Sequence, residues 1–392
     1  MKRFVFQISV VALALGSVAS GGEIPVPRAS TSVESTLPLL KGKHAVGVRS
    51  FAWIDEARSE TATADEDDHR EVTVQIWYPA IVGERDPVAD YFPELEDILA
   101  AAADLPERDR NFIQAHAALR NVATNSVPGA PLVASAARWP VILFSPGGNV
   151  SRHAQTALAE RIAGEGFVFV SMAHPYSTLD VAPRSGFSMS IDWGINQADE
   201  AAAAAADDRL ADILAGDAAF VLDRLRRMAR DGQAFAAKLD LDHVGIAGHS
   251  RGGTTVGRAC GSNPSFVACA VLDNIGPDRE SRTGVSPPFM TLRSPWSEER
   301  VAVLHDYLRR TGSVAHDVEL ADSNHFTCTD LPLFLSDLRV EGVEPGDGIA
   351  SCATIVTAFF DAYLKRRISP EDAWVPPVEP GKATVRRFRE SK

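Results

Sequence analysis

At 392 residues the chain has room for one large α/β domain or two small ones, and a 45% hydrophobic content is ordinary for a globular protein with a sizeable core. Its formal net charge is −13, with no basic patch, which argues against nucleic-acid binding and against adsorption to anionic membranes. No stretch after the N-terminal 20 residues approaches 18 consecutive apolar residues, so no membrane span is expected in the mature chain.

Residues 1–20 read as a secretory signal peptide. Lys2 and Arg3 form the basic start, Phe4 to Leu15 the apolar stretch, and Val18-Ala19-Ser20 the small residues a signal peptidase requires. An exported protein is expected, periplasmic or secreted. Its four cysteines then permit up to two disulfides, and Cys260/Cys269 and Cys328/Cys352 are the preferred pairs because each joins neighbouring elements. Free buried cysteines are the alternative.

Residues 21–43, rich in Pro, Ser and Thr, form a leader to a domain expected over 44–368. Segments 46–53 and 72–78 alternate like an antiparallel strand pair, and the acidic run Asp65 to Asp68 with His69 between them reads as a solvated loop rather than a metal site. Residues 84–137 break the strand rhythm. Leu95, Ile98, Leu99 and Ala102 have helical spacing, as do Phe112, Ile113, His116, Leu119 and Val122, so this segment is a helical insertion and a candidate lid. From residue 140 strands and helices alternate: strand 141–144, helix 154–164, strand 167–171, and a long helix led by Ala201–Ala206. Strands 243–247, 266–272, 289–292 and 316–320 follow, with helices at 298–308 and 351–364. That order implies a mostly parallel central sheet covered by helices on both faces. Residues 369–392 are left as a C-terminal tail.

The chemistry centres on Gly248-His249-Ser250-Arg251-Gly252-Gly253. A G-x-S-x-G between a short apolar strand and a helix is a nucleophile elbow, in which glycines relieve crowding and the serine stands at the end of the sheet. Ser250 needs a base, a group to orient that base, and donors for a developing oxyanion. The expected order is serine, acid, histidine, each at or beyond a strand end. Asp273 follows strand 266–272, with Glu298 as the competing acid; a glutamate there is also favoured electrostatically by a helix N-terminus. His325, just past the last strand in Asn324-His325-Phe326, has the order and setting of a general base. The oxyanion donors are expected to be the backbone N–H groups of Arg251 and Gly148. His174, His249 and Trp296 are placed around the pocket, while His243 and His316 read as structural. No Gly-Lys-Ser/Thr follows Gly147-Gly148 and no zinc-like Cys/His spacing appears, so no cofactor or metal is expected.

Five segments resemble, in order, the plasma-type platelet-activating factor acetylhydrolase family. They are Val72-Thr73-Val74-Gln75-Ile76-Trp77-Tyr78-Pro79-Ala80, Leu143-Phe144-Ser145-Pro146-Gly147-Gly148, the elbow hexapeptide, Val271-Leu272-Asp273, and Asn324-His325. The resemblance spans roughly residues 45–365. It implies an α/β-hydrolase fold and a Ser-Asp-His triad whose acid follows the strand after the nucleophile strand, hence Asp273 over Glu298. Two departures stand out: Pro146-Gly147 where the family usually has His-Gly, and Arg251 where a bulky residue often follows the serine. Similarity to the bacterial, dienelactone-hydrolase-like members implies a carboxylic ester hydrolase acting on a small ester or lipid. An amidase or peptidase using the same residues is the first alternative, and a non-catalytic binding protein the second. The oligomeric state has no signature in the sequence.

Overall fold

Short apolar segments of the chain become the centre of a ten-stranded sheet. The computed structural model describes residues 36–38, 42–135, 137–195, 197–274, 285–369, 374–377 and 381–388. The expected signal peptide, most of the leader and parts of the C-terminal tail lie outside the described residues. The strands are β1 (Ala45–Ser59), β2 (His69–Ala80), β3 (Ser126–Pro128), β4 (Trp139–Ser145), β5 (Val168–Met172), β6 (Asp180–Ala182), β7 (Gly186–Ser188), β8 (Leu239–His249), β9 (Phe266–Leu272), β10 (Phe289–Arg293), β11 (Ala315–Leu320) and β12 (Ala383–Phe388). Their order in the main sheet is β12-β11-β10-β9-β8-β4-β5-β2-β1-β3, with β6 and β7 paired separately. From β5 through β4, β8, β9 and β10 to β11 every pairing is parallel, while β2 joins β5 antiparallel.

Central parallel strands have both faces buried, so their sequences are apolar throughout. Alternation still sorts the side chains. Ile142, Phe144, Phe169, Ala247, Ala270 and Leu272 face one core with helices α3 (Thr156–Gly164) and α8 (Pro345–Phe360). Val141, Leu143, Val168, Val170, Ile246 and Val271 face the other with α4 (Glu200–Arg230), α5 (Arg251–Ser262) and α6 (Glu298–Arg309). The long α4 starts where Asp199 accepts bonds from the Ala201 and Ala202 N–H groups, an N-cap that satisfies two otherwise orphan donors. It buries Leu210, Leu214, Ala218, Val221, Leu225 and Met228 along one stripe. No described helix is long and apolar enough to cross a membrane.

The insertion at 84–137 holds α1 (Leu95–Ala101), α2 (Glu107–Ala115) and the short strand β3, which pairs with β1. Tyr91, Phe92, Leu95, Ile98, Ile113 and Val122 from this segment are part of the core, so any motion of it as a lid must expose them. A short helix, α7 (Leu331–Phe334), precedes α8. Two features depart from the sequence reading. The final helix begins at Pro345 rather than near Ser351, because proline suits the first helical position while Gly346, Asp347 and Gly348 mask the helical pattern. The tail supplies β12, antiparallel to β11; the open edge of β11, rather than any apolar alternation, makes Ala383–Phe388 a strand.

Disulfides join Cys260 on α5 to Cys269 on β9, and Cys328 to Cys352 on α8. The second pins the segment that carries His325 to a core helix. A loop of that size lowers the entropy of the unfolded chain by about 3 kcal/mol in the chain-entropy model.

Candidate active site

The carboxyl ends of five neighbouring parallel strands meet at one place, where open α/β sheets bind ligands. Ser145 at the end of β4 lies in register with Gly248, His249 with Leu272, and Leu272 with Leu292. Gly148, Ser250, Asp273, Ser294 and His325 follow β4, β8, β9, β10 and β11 respectively.

Ser250 sits at φ 53° and ψ −122°, a strained conformation for a residue with a side chain. The surroundings hold it there: its N–H donates to Leu272 O at 2.9 Å, and its carbonyl accepts from Asn274 Nδ2 at 2.5 Å. The turn is so tight that a Cβ on Gly252 would overlap the Ser145 carbonyl oxygen, and one on Gly248 would overlap the Gly252 carbonyl. Only glycine fits at either position.

Asp273, also at positive φ (53°), donates its N–H to Leu292 O at 2.8 Å. Its Oδ1 accepts from Ser294 N at 2.8 Å, Ser294 Oγ at 2.7 Å and Trp296 Nε1 at 2.9 Å. Its Oδ2 lies 2.5 Å from His325 Nδ1, and His325 Nε2 lies 3.0 Å from Ser250 Oγ. Burial alone would raise the Asp273 pKa, but the bond to His325, its charge and the Ser294 donors outweigh it and hold the carboxyl well below its usual range. A carboxylate only accepts, so Nδ1 of His325 carries the proton and Nε2 is free to take one from Ser250. Glu298 stands exposed in the first turn of α6, while the Nδ1 of His325 is already bonded to Asp273.

Gly147 and Gly148 lie against the elbow. A Cβ on Gly147 would touch Ser250 Cβ at 3.3 Å, and one on Gly148 would approach Arg251 Cβ at 3.8 Å. Among the described residues, no backbone or side-chain group accepts a bond from the N–H of Gly148 or of Arg251. The Arg251 side chain turns away to α4, where Nη1 pairs with Asp207 Oδ1 at 2.5 Å.

The three residues expected around the pocket each engage a group of the site or its support. His174 is buried, with Nδ1 against Asp217 and Nε2 against Ser145, which leaves neither nitrogen for a ligand. His249 is buried too: its Nε2 donates to the His325 carbonyl at 2.6 Å, and burial together with the His325 charge pushes its pKa down to about 3, so it is a neutral donor bracing the His325 loop. Trp296 holds Asp273, and its ring lies under the Arg300 guanidinium at 3.6 Å.

Residues 29–178 match the family model of platelet-activating factor acetylhydrolase, isoform II, a stretch that holds β1 to β5 and the Gly147-Gly148 turn. The chain has the α/β-hydrolase fold, and its N-terminal part is similar to that family. Among solved structures, a ferulic acid esterase from Streptomyces cinnamoneus shares the fold at a TM-score of 0.71 and 21% identity, over 89% of this chain and 98% of that one. No curated protein matches the sequence.

In this fold the helical insertion is bound to the loop beyond Gly148. Glu94, just before α1, pairs with Arg152 and lies 2.9 Å from His153 Nε2; Arg152 pairs in turn with Asp180. Burial would raise the Glu94 pKa, but His153 and Arg152 bring it down from 4.5 to about 2. A depressed carboxylate pKa contributes stability that is full above the unfolded value and is lost as pH falls through the folded one. Urea unfolding of wild type and Glu94→Gln should therefore differ most above pH 5 and converge as the pH falls towards about 2. A difference that stays constant over that window would show that the Glu94 charge does not hold the insertion.

Proposed function

We propose that this α/β-hydrolase is an ester hydrolase that works through an acyl-enzyme on Ser250. The observation that carries the reading is the continuous bonded series Ser250–His325–Asp273, set beside the Gly148 and Arg251 N–H groups, which engage no acceptor among the described residues. Ser250 Oγ attacks the ester carbonyl while its proton passes to His325 Nε2. The resulting imidazolium is stabilised by the Asp273 carboxylate. The negative charge that develops on the carbonyl oxygen is met by the Gly148 and Arg251 N–H groups at the positive end of α5. Collapse of the tetrahedral intermediate expels the alcohol, which takes the proton from His325. Water, deprotonated by the same nitrogen, then attacks the acyl-enzyme and releases the acid and free Ser250.

Both the family model and the neighbouring fold carry names of ester-cleaving enzymes, and this supports an ester over an amide as the substrate. Export through the N-terminal signal fits with two disulfides, which persist in oxidising compartments. The test is a substrate panel on the purified protein: p-nitrophenyl esters of rising acyl length, a feruloyl ester, a short-chain phospholipid, and anilides matched to the esters. Turnover of esters well above that of matched anilides is expected, together with labelling by a fluorophosphonate. Anilides cleaved as well as esters would reassign the protein as an amidase. No labelling and no turnover would make it a binding protein.

A further inference from the structure

Beneath the candidate site lies a second series of serine, histidine and aspartate that solvent does not reach. Ser145 closes β4, and its Oγ is 2.7 Å from His174 Nε2; His174 Nδ1 is 2.8 Å from Asp217 Oδ2 on α4. Asp217 is gripped by Arg70 of β2, which donates from Nε at 2.6 Å and from Nη2 at 2.8 Å, and which also donates to Glu60 at 2.8 Å. Ser145 and Asp217 are 0% exposed and His174 is 1% exposed, so none of them can meet a substrate.

The polarity of the series follows from its chemistry. Asp217 only accepts, so Nδ1 of His174 carries a proton. Burial, reinforced by Arg70 and Arg58 against the opposing pull of Asp217, lowers the His174 pKa and leaves the ring neutral with an open Nε2. Ser145 gives that nitrogen its single proton. The Thr255 hydroxyl, 3.0 Å from Ser145 Oγ, completes the bonding of Ser145 from the other side.

Ser145 and Thr255 stand at the seam between the two segments that present the unengaged N–H groups. Ser145 leads through Pro146 and Gly147 to Gly148, and Thr255 lies one turn into α5 from Arg251. The backbones touch there, at the Ser145 carbonyl and Gly252. Apolar contact alone would let the two segments slide. Directional bonds anchored on a buried ion pair fix them, and buried polar networks of this kind set a geometry more than they add stability.

We propose that Thr255, Ser145, His174 and Asp217 form a positioning device that sets the separation of the Gly148 and Arg251 N–H groups. It rests on the ester-hydrolase reading given above. Ser145 and His174 are on this view positioning residues, and their loss weakens the hold on the transition state more than on the bound ester.

The test uses the full-length mature protein with p-nitrophenyl acetate as substrate and phenylboronic acid as a tetrahedral mimic. Ser145→Ala and Thr255→Val are each expected to lower kcat by about ten- to a hundredfold, the scale of a small misplacement at a reacting centre, with KM little changed. Boronate affinity should fall by a similar factor, and Thr255→Ser should keep wild-type values of all three. A wild-type kcat in Ser145→Ala, or a loss that appears in KM with boronate affinity intact, overturns the proposal. So does an equal loss in Thr255→Ser and Thr255→Val. Should Ser145→Ala fail to fold, the Thr255 pair decides alone. Turnover that survives in Ser250→Ala would instead overturn the ester-hydrolase reading itself, which separates the two failures.

Discussion

Ser250→Ala is expected to lower kcat on a short p-nitrophenyl ester by about a millionfold, the scale seen when a serine nucleophile is removed from a triad. The fold should persist through this change. Alanine carries the same Cβ as serine into the φ 53° conformation, so the strain is neither relieved nor increased. The two bonds that hold the elbow, from the Ser250 N–H to Leu272 and from Asn274 to the Ser250 carbonyl, are made by the backbone and survive. His325 loses its partner at Nε2, but its side chain is 26% exposed and water can replace the hydroxyl. Kinetics should therefore collapse while the thermal midpoint and circular dichroism stay near wild type. Activity retained in the alanine variant would remove Ser250 from the mechanism.

Asp273→Asn should lower kcat by about 10⁴-fold, as expected when a histidine is held in the wrong tautomer. Three donors converge on Oδ1 of Asp273: the Ser294 N–H, the Ser294 hydroxyl and the Trp296 indole. An asparagine must turn its carbonyl oxygen towards them, which aims its NH₂ at His325 Nδ1. That nitrogen then has to accept, so the ring proton moves to Nε2 and faces Ser250, where a base is required. Glu298→Gln should leave kcat within about twofold, since an exposed first-turn glutamate contributes only about 0.3–1 kcal/mol to its own helix. A larger loss in Glu298→Gln than in Asp273→Asn would reassign the acid.

The two replacements test different parts of one geometry, and they were not equally legible in the sequence. The elbow is local: strand, serine, glycines and helix are consecutive, so pattern alone places Ser250. Asp273 and His325 are ordered along the chain after apolar strands, which makes them candidates. Nothing local separates Asp273 from Glu298, because the choice depends on where the β9 and β10 ends point. The structure brings Asp273 to His325 at 2.5 Å and leaves Glu298 at the surface. His174, His249 and Trp296 mark the limit of such reading. Each is expected around the pocket from its place in the chain, and each bonds a partner that is distant in sequence: Asp217, the His325 carbonyl and Asp273. A useful signal was nonetheless present, since each follows a strand end or flanks a site residue, where supporting groups also gather.

By itself the sequence determined the alternation of strands and helices, the parallel sheet that this implies, the elbow and the candidate order of serine, acid and histidine. These depend on periodicity, turn chemistry and steric demands that act within a few residues. Only the tertiary structure decided which acid meets His325, that β12 closes the sheet edge, and that Ser145, His174 and Asp217 form one buried series. Those outcomes rest on the meeting of groups from elements far apart in the chain, β9 with β11, β11 with β12, and β2 and β4 with α4 and α5, and partners are selected by strand register and helix packing rather than by neighbouring residues.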